Sequence, residues 1–367
     1  MDRALRLAAS ARFWARPNPH VGCVLARGES VIGAGFTQPA GGDHAEIVAL
    51  RAAGAAARGA TVYVTLEPCA HSGRTPACVD ALLKAGVARV VAAVQDPNPR
   101  VAGGGFARLR EAGIDVAVGL LAGAVEVQLS GFLQRQRRGR GRLRIKLAMS
   151  LDGRTAMASG ESRWITGPAA RADVQRLRAE SCAIVTGIGT VLADDCALTV
   201  RDDEVVGAPL PEPSRRALRV VLDSRARTPR SAQVLGGEQP SLLIHRAGLE
   251  GPQMAALAAA SVATAGVPYR AAGLDLEAVL ALLAQRECNE ILLESGPVLA
   301  GALLRQALAD EIIVYQAPRL LGSRARPLLE LPFERLSEAL ELELLEQRQL
   351  GADLRLRFAP RVRNPVF

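Results

Sequence analysis

Short apolar runs alternate with Ala-rich segments along the first third of the chain, and each pattern predicts its own secondary structure. Runs of Val, Ile and Leu that are bounded by turn residues are typical of strands. Such runs occupy 21–25, 31–36, 60–66, 87–94 and 115–118, and the first two are spaced as a hairpin. Helices are expected at 44–57 and 76–85, which are followed by Gly59 and Gly86, residues suited to cap a helix C-terminus. Strands and helices in alternation predict a layered α/β architecture.

A second α/β unit is expected after a strongly basic stretch. The strands of that unit are predicted at 143–148, 183–186, 219–222, 241–244, 290–293 and 311–317. The basic stretch, 134–142, has the sequence QRQRRGRGR and is interpreted as a solvated linker between domains, with an RNA-contacting arm as the alternative. We therefore predict one domain over 1–142 and another over 143–367. A proline-rich stretch, 208–213, is expected to form a surface loop of the second domain.

Length and composition fit two folded domains and disfavour several classes of protein. The chain has 367 residues, of which 49% are hydrophobic and 22% charged, and this balance argues against disorder. Its longest apolar stretch, 254–267, is too short to cross a membrane, and the first residues lack the apolar core of a secretory signal. Six widely spaced cysteines do not make a disulfide scaffold. We expect a cytoplasmic protein that does not bind membranes.

Positive charge is the compositional feature that favours a nucleic-acid partner. The formal net charge is +8. Nearly all of the positive charge is arginine, since Lys84 and Lys146 are the only lysines, and the arginines are spread along the sequence. Proteins that bind nucleic acid usually gather their basic residues on one face or along one helix. The pattern therefore disfavours nucleic acid as a partner.

His44, Cys69 and Cys78 have the residue types of a catalytic zinc site. One imidazole and two thiolates provide three ligands and leave the fourth tetrahedral position open for water. Glu46 lies two residues beyond the histidine, where a carboxyl group can exchange a proton with water without binding the metal. His-x-Glu followed by Pro-Cys and a second Cys resembles the signature of zinc nucleobase deaminases. Eight residues separate the two cysteines, and His71 among them is expected to contact substrate or lie at the surface.

Two glycine-containing turns in the second half are candidate phosphate cradles. The sequence TGIGT at 186–190 follows one predicted strand, and ESGP at 294–297 follows another. Glycine lets backbone N–H groups approach an anion closely at the start of a helix. The first turn lacks the third glycine of the dinucleotide-binding motif and has Leu192 in its place, so a Rossmann fold is disfavoured.

Longer motifs extend over both halves of the chain. They are PNPHVGCV at 17–24, GDHAE at 42–46, TLEPCAHSGRTPAC at 65–78, QDPNP at 95–99 and KLAMSLDGR at 146–154. Together they resemble the bifunctional deaminase–reductase family of riboflavin biosynthesis. The resemblance implies an α/β protein with two domains, an N-terminal cytidine-deaminase-like α/β/α layer and a C-terminal dihydrofolate-reductase-like α/β domain. Two positions depart from the family pattern, since Val48 replaces a frequent second histidine and Cys196 a usual proline.

The same resemblance assigns residues of the second domain to a cofactor and a substrate. It implies NADP contacts at Ala148, Trp164, Thr190, Asp194, Ser224, Gly296, Pro297, Val298, Leu299, Ala300, Gly301 and Ala302. It implies substrate contacts at Ser162, Arg178, Leu198, Arg201 and Glu294. Of these, Arg178 and Arg201 are expected to grip a ribose 5′-phosphate, because a guanidinium binds phosphate with two parallel hydrogen bonds.

The resemblance implies a homo-oligomeric enzyme that acts twice on a phosphoribosylated pyrimidine. Zinc-dependent hydrolysis removes an exocyclic amine, with Glu46 carrying a proton to the departing ammonia. NADPH-dependent reduction then converts the ribosyl group to a ribityl chain. One alternative is a nucleic-acid or free-base deaminase with a non-catalytic second module, which predicts a single basic face. Another is a zinc-binding regulator, which predicts a fourth protein ligand that closes the metal site.

Overall fold

The computed structural model describes residues 1–71, 76–99, 101–201, 204–205, 216–271 and 273–361. These residues form two compact units, one over Met1–Arg140 and one that begins at Gly141. The predicted proline-rich loop at 208–213 and residues 72–75 of the segment between the two candidate zinc-binding cysteines lie outside the described residues. Nowhere in the described part of the chain is a helix both long and apolar enough to span a bilayer.

The first unit is built on a sheet whose five described strands occupy the predicted places. In the order β2-β1-β3-β4-β5, the sheet contains β1 (Gly22–Arg27), β2 (Ser30–Phe36), β3 (Thr61–Leu66), β4 (Arg89–Val94) and β5 (Asp115–Val118). β1 and β2 form the predicted hairpin, β1 is antiparallel to β3, and β3, β4 and β5 are parallel. Val62, Val64 and Val90 are fully buried, which is typical of parallel strands covered on both faces.

Helices of this unit pack against its sheet, and glycine residues let one of them approach the sheet closely. The described helices are α1 (Asp2–Ser10), α2 (Ala45–Ala53), α3 (Cys78–Ala85), α4 (Gly104–Glu111), α5 (Ala122–Gln128) and α6 (Ser130–Arg138). Both predicted helices are present, the first as α2 with a 3₁₀ turn at Gly54–Ala57, the second as α3, which ends at Gly86. A Cβ on Gly33 or Gly35 would lie 2.3 or 2.6 Å from a carbonyl oxygen of α2. Glycine at these positions therefore allows α2 to lie against β2.

The basic stretch at 134–142 is largely helical. α6 continues to Arg138 and ends where Gly139 adopts the left-handed conformation. Phe132 and Leu133 anchor this helix in the core of the first unit. Basic side chains in its last turn complement the partial negative charge of a helix C-terminus. The stretch lies where the two units divide and is exposed at 137–139, as predicted for a solvated linker between domains, and the structure adds that its first part, 134–138, is helical.

The second unit contains, among its described residues, a nine-stranded sheet in the order β11-β10-β9-β8-β14-β6-β15-β18-β17. The described strands of this unit are β6 (Arg142–Ser150), β7 (Arg154–Ala156), β8 (Ala183–Gly187), β9 (Leu218–Leu222), β10 (Ser241–Arg246), β11 (Thr264–Val267), β12 (Tyr269–Arg270), β13 (Gly273–Leu274), β14 (Glu290–Glu294), β15 (Glu311–Ala317), β16 (Arg326–Pro327), β17 (Leu342–Leu350) and β18 (Asp353–Pro360). The strands from β11 to β15 in the sheet are parallel, and all six predicted strands are among them. β18 and β17, which the sequence analysis did not predict, extend the sheet as an antiparallel hairpin.

Parallel neighbours in this sheet bring three loop segments to one edge. The described helices are α7 (Pro168–Glu180), α8 (Ile188–Asp194), α9 (Pro252–Ala259), α10 (Leu276–Gln285) and α11 (Pro297–Arg305). α8 follows β8 directly, and α11 follows β14 after a two-residue turn at 295–296. Because β9, β8 and β14 are adjacent and parallel, the segments after them meet at the carboxyl edge of the sheet. Ligands of open α/β sheets bind at this edge.

One face of the second sheet carries a network of ion pairs around a buried carboxylate. At its centre the fully buried carboxylate of Glu311 pairs with Arg142 and Arg357. Arg357 also donates a hydrogen bond of 2.9 Å to Glu346, which pairs in turn with Arg355. Burial alone would raise the pKa of Glu311, but its arginine partners outweigh burial and hold that pKa below its ordinary value. The network depends on cross-strand pairing and was not predicted.

Candidate active sites

Three residues from separate segments of the first unit bring their ligand atoms together. His44 is the residue that precedes α2, Cys78 is the first residue of α3, and Cys69 lies in the loop after β3. Nδ1 of His44 is 3.2 Å from Sγ of Cys78 and 3.7 Å from Sγ of Cys69. All three ligand atoms lie within 4.8 Å of one another. The structure thus assembles the three residues that the sequence assigned to zinc.

The spacing of these atoms fits a tetrahedral zinc ion. Zn–S bonds of about 2.3 Å and Zn–N bonds of about 2.0 Å separate neighbouring ligand atoms of a tetrahedron by about 3.6 Å. The two nitrogen–sulfur distances, 3.2 and 3.7 Å, are close to that value. Hydrogen bonding from the Cys78 thiol, followed by that from His44, lowers the pKa of Cys69 to about 4. Within the described residues the group has three members, as an open catalytic zinc site requires.

Glu46 lies beside this cluster without belonging to it. It occupies the first turn of α2, two residues after His44, and is 4% exposed. Burial raises the pKa of its carboxyl group, an effect that His44 opposes. A carboxyl group whose pKa is raised toward neutrality exchanges protons more readily at physiological pH. The arrangement therefore suits a proton carrier next to a metal.

Glu67 fixes the loop that carries Cys69, a role that the sequence analysis did not assign. Its buried carboxylate accepts hydrogen bonds of 3.0 to 3.3 Å from the backbone N–H groups of Asp96, Gly103, Gly105 and Phe106. A Cβ on Gly105 would lie 2.1 Å from the carbonyl oxygen of Pro68, so this approach requires glycine. A glutamate beside Pro-Cys is equally typical of a catalytic acid, and the sequence alone does not separate the two roles.

The chain purified without chelator is expected to carry one zinc ion per molecule. Cys69→Ser should reduce the zinc content well below that ratio, because a neutral hydroxyl replaces a thiolate ligand. Elemental analysis of the purified variants measures the ratio. Cys182→Ser, a matched change outside the cluster, should leave it at one. Full zinc content in Cys69→Ser would show that this thiol is not a ligand.

A cleft of about 1640 Å³ lies at the carboxyl edge of the second sheet. Pockets for one small ligand typically measure about 300–1,000 Å³, so this cleft has room for a dinucleotide and a second ligand. Most of the residues predicted to contact cofactor or substrate line it: Ala148, Ser162, Arg178, Thr190, Asp194, Leu198, Ser224, Glu294, Gly296, Pro297, Val298, Leu299 and Ala302. The cleft lining does not include four others: Trp164, Arg201, Ala300 and Gly301.

Local structure explains where these four residues lie. Ala300 and Gly301 are buried residues of α11, and a different face of this helix lines the cleft. Trp164 is 59% exposed, and the guanidinium of Arg171 lies 4.6 Å from its ring centroid. Arg201 pairs with the nearby Glu204 at 3.1 Å. Of the residues predicted at 296–302, most thus line the cleft and two are buried in the protein, and their contacts with NADP stay a prediction.

The turn before α11 has the properties of an anion-binding cradle. Gly296 caps the helix in an extended conformation, and a Cβ there would meet no protein atom within 4 Å. Its N–H donates to the hydroxyl of Thr190 at 3.2 Å, which joins the turn to α8. The N-terminus of a helix carries partial positive charge and N–H groups that bind phosphate. These residues fit the diphosphate of NADPH.

Glu294 forms the charged centre of the cleft. Arg178 binds its two carboxylate oxygens through Nε and Nη2, at 2.5 and 3.0 Å, and donates from Nη1 to the carbonyl oxygen of Thr199 at 2.9 Å. Nζ of Lys146 lies 3.8 Å from the same carboxylate. Burial alone would raise the pKa of Glu294, but Arg178 outweighs burial and holds that pKa below its ordinary value. Arg178 is thus engaged within the protein, and the expected phosphate grip with Arg201 stays a prediction.

Two family models match the chain. One, described as "RibD C-terminal domain", matches residues 142–356, which is more than half of the chain. The other, described as "Cytidine and deoxycytidylate deaminase zinc-binding region", matches residues 1–94. The first match contains the cleft, and the second contains the cluster of His44, Cys69 and Cys78.

Several known proteins match over nearly the whole chain. "Riboflavin biosynthesis protein RibD" of Escherichia coli (strain K12) is 50% identical over 361 residues, which are 96% of this chain and 96% of that protein. The protein of the same name from Mycobacterium tuberculosis (strain ATCC 25618 / H37Rv) is 40% identical over 367 residues, 98% of each chain. The solved structure of Acinetobacter baumannii RibD, form 1, is 43% identical with a TM-score of 0.90 and 98% of each chain covered. A Thermotoga maritima structure, described as a diaminohydroxyphosphoribosylaminopyrimidine deaminase/5-amino-6-(5-phosphoribosylamino)uracil reductase, is 28% identical with a TM-score of 0.85, covering 98% of this chain and 97% of that one.

Proposed function

Because the chain belongs to the RibD family of riboflavin biosynthesis proteins, we propose which of its residues carry out the two reactions of that family. The chain is a bifunctional enzyme, in which a cytidine-deaminase-like domain uses Zn²⁺ and a dihydrofolate-reductase-like domain uses NADPH. We assign the deaminase to 1–142 and the reductase to 143–367. The family matches at 1–94 and 142–356 support this division.

The proposed substrates are two phosphoribosylated pyrimidines handled in sequence. The first is 2,5-diamino-6-(5-phosphoribosylamino)pyrimidin-4-one. Hydrolysis replaces one exocyclic amine by an oxygen from water and releases ammonia, which gives 5-amino-6-(5-phosphoribosylamino)uracil. Reduction by two electrons and two protons then converts the ribosyl group of that product to a ribityl chain. The two activities in the description of the Thermotoga maritima structure support this assignment.

The cluster of His44, Cys69 and Cys78 beside a buried carboxyl group is the observation that carries the deaminase assignment. We propose that these three residues hold zinc, which when bound supplies the Lewis acidity that lowers the pKa of water. Glu46 takes a proton from the attacking water and gives it to the departing amine. Its burial shields that proton from bulk water, and the raised pKa of its carboxyl group makes the carboxylate a stronger base toward the attacking water.

The cleft residues divide between cofactor and substrate. The first turn of α11, which follows Gly296, binds the diphosphate of NADPH, which when bound supplies the hydride for the reduction. Thr190 holds the turn at Gly296 in place through their hydrogen bond. The paired side chains of Glu294 and Arg178 orient the ribosyl group, since both line the cleft and neither changes position without breaking two hydrogen bonds.

Arg201→Ala is expected to raise the reductase KM for the phosphoribosyl substrate about 10- to 100-fold and to leave deamination unchanged. The loss of a charge-assisted hydrogen bond to phosphate costs about 1.5–3 kcal/mol of binding free energy. Each 1.4 kcal/mol changes the binding constant about tenfold. Lysine should restore part of the affinity, because it offers one point of charge instead of a planar fork. Arg178→Ala should raise KM similarly and also lower kcat, because it removes a partner of Glu294.

Steady-state reductase kinetics on these variants test the grip on phosphate. Arg286→Ala, a change at an exposed arginine outside the cleft lining, is the matched control and should retain the wild-type KM. An unchanged KM in Arg201→Ala would remove this residue from the grip. A KM that is unchanged in both Arg178→Ala and Arg201→Ala would discard the grip altogether.

One assay with the diaminopyrimidine substrate separates the proposed function from its alternatives. The zinc-loaded protein should release ammonia without NADPH and should oxidise NADPH only after deamination has occurred. A nucleic-acid or free-base deaminase would release ammonia from RNA or free cytosine and oxidise no NADPH. A zinc-binding regulator would do neither, and the three-membered metal cluster within the described residues does not favour it.

We also propose a cytoplasmic homo-oligomer. The six cysteines, all of them within the described residues, form no disulfide, which is typical of a reducing compartment. β17 lies at the end of the nine-stranded sheet and exposes Leu342, Leu344 and Leu345. An exposed edge strand with apolar side chains favours pairing with another chain. Light scattering in solution tests this, and a mass equal to the 38.6 kDa of one chain would contradict it.

A further inference from the structure

We propose that Arg227, assisted by Ser224, binds the 2′-phosphate of the adenosine in NADPH and thereby selects NADPH over NADH. The inference rests on the proposed cofactor site in the cleft. It assigns to one side chain the discrimination between two cofactors that differ only in this phosphate. Arg227 lines the cleft beside Ser224, at the carboxyl end of β9.

The sheet sets the distance between this arginine and the diphosphate cradle. Leu222 of β9 pairs with Gly187 of β8, and Val185 of β8 pairs with Leu293 of β14. The segments after β9 and β14 therefore leave the same edge two strands apart, which is about 10 Å at the usual strand spacing. A dinucleotide with its diphosphate at the start of α11 can thus place the adjoining adenosine ribose at the end of β9.

The turn after β9 is wrapped around a buried carboxylate. Asp223 is fully buried, and its Oδ2 accepts hydrogen bonds from the N–H and the hydroxyl of Thr228 at 2.7 and 2.9 Å. Sites that prefer NAD use a carboxylate near the ribose to accept a hydrogen bond from its 2′-hydroxyl, whereas sites for NADP use an arginine. Asp223 is unsuited to the first role, because its side chain is enclosed in the protein.

Arg227 is held by this turn but projects from it. Its side chain is 53% exposed, and its Nε lies 3.7 Å from Oδ1 of Asp223. That contact orients one edge of the guanidinium toward the turn, and a guanidinium has a second edge with which to bind phosphate. Ser224 adds a hydroxyl group to the same wall of the cleft. The two side chains together provide charge and a neutral hydrogen-bond donor.

The other arginines that line the cleft are less suited to this role. Arg178 and Arg270 lie 2.5 and 2.6 Å from the carboxylates of Glu294 and Asp275, whereas Arg227 lies 3.7 Å from that of Asp223. Arg305 is the last residue of α11, at the opposite end from the cradle. Arg326 belongs to β16, which pairs with β7 rather than with a strand next to β8. Arg227 follows β9, at the end of which the adenosine ribose is placed.

Binding of adenosine 2′,5′-bisphosphate and of 5′-ADP to the full chain tests the proposal without any turnover. By titration calorimetry, Arg227→Ala should bind the bisphosphate about 10- to 100-fold more weakly and 5′-ADP as tightly as the wild type, since it loses a charge-assisted contact to one phosphate. NADPH affinity should fall by the same factor and NADH affinity should not change. Arg227→Lys should lie between the two. Arg225→Ala removes an equal charge from the same turn outside the cleft lining and should bind all four ligands normally.

The outcomes separate this proposal from the one on which it rests. Undiminished bisphosphate binding by Arg227→Ala, or an equal loss for 5′-ADP, would overturn the assignment of Arg227 alone. Failure of the wild type to bind NADPH would overturn the cofactor site as well. Ser224→Ala provides a second test that leaves Arg227 and its ion pair in place. It should weaken the bisphosphate selectively by about 2- to 10-fold, as expected for a neutral hydrogen bond, and an equal loss for 5′-ADP would count against the proposal.

Discussion

Glu46→Gln is expected to slow ammonia release by about 10²- to 10⁴-fold while the reduction of deaminated substrate by NADPH continues at the wild-type rate. Glutamine keeps the size and hydrogen-bonding geometry of glutamate but cannot take up or release the proton, and general acid–base catalysis contributes a factor in this range. The zinc content should stay at one per chain, because Glu46 is not part of the ligand cluster. Ammonia assays and NADPH oxidation on the two substrates measure the two activities separately.

Two further measurements make this result specific. Glu111→Gln, the same change at an exposed position in α4, should leave both activities at wild-type levels. Elemental analysis shows whether Glu46→Gln still binds metal. A variant that lost both activities equally, or that lost its zinc, would contradict the role of Glu46 as a proton carrier.

Glu311→Gln is expected to lower the free energy of unfolding by about 3–5 kcal/mol, because it removes a fully buried charge that two partly buried arginines share. Arg142 and Arg357 both pair with this side chain, which is fully buried. Denaturation followed by circular dichroism measures the loss. Glu341→Gln breaks the exposed pair with Arg361 and should cost less than about 1 kcal/mol. Equal effects of the two changes would show that the buried network contributes nothing beyond an ordinary surface pair.

The pH dependence of stability gives an independent check on the same network. The pKa of Glu311 in the folded protein lies below its ordinary value of 4.5. A carboxyl group of this kind stabilises the folded state fully at pH values above its unfolded pKa, and the contribution is lost as the pH falls through the folded pKa. The wild type should therefore lose stability as the pH falls below about 4.5, and Glu311→Gln should lose less over that range.

The strands that could be predicted are those whose buried side chains follow one another in the sequence as an uninterrupted apolar run. β3, β4 and β15 are apolar because helices or other layers cover both of their faces, and such runs are visible in the sequence. β18 begins with alternating charged and apolar residues, and its Arg355 and Arg357 are neutralised by carboxylates on β17 and β15. The helix within 134–138 was missed for a related reason, since arginines favour a helix C-terminus as readily as a linker.

The zinc cluster was predictable because residue type and position along the chain nearly determine it. The charged contacts of Glu67, Lys146 and Arg227 were not predictable, because each depends on which groups the fold brings together. Lys146 carried one signal, as one of two lysines in the chain. Whether a carboxylate such as that of Glu67 or Asp223 is buried depends on the backbone groups around it in the fold. The pattern of neighbouring residues in the sequence does not indicate it.

The four hydrogen bonds to Glu67 also bear on how the enzyme acquires its metal. They tie the loop of Cys69 to the segment after β4 and to the first turn of α4, so contacts within the protein hold this loop in place. In small zinc domains, by contrast, metal uptake and chain ordering are one event, and the binding energy is largely folding energy. Here we expect metal uptake to be separable from folding. Protein stripped of zinc by a chelator should keep its circular dichroism spectrum and regain deaminase activity when zinc is added.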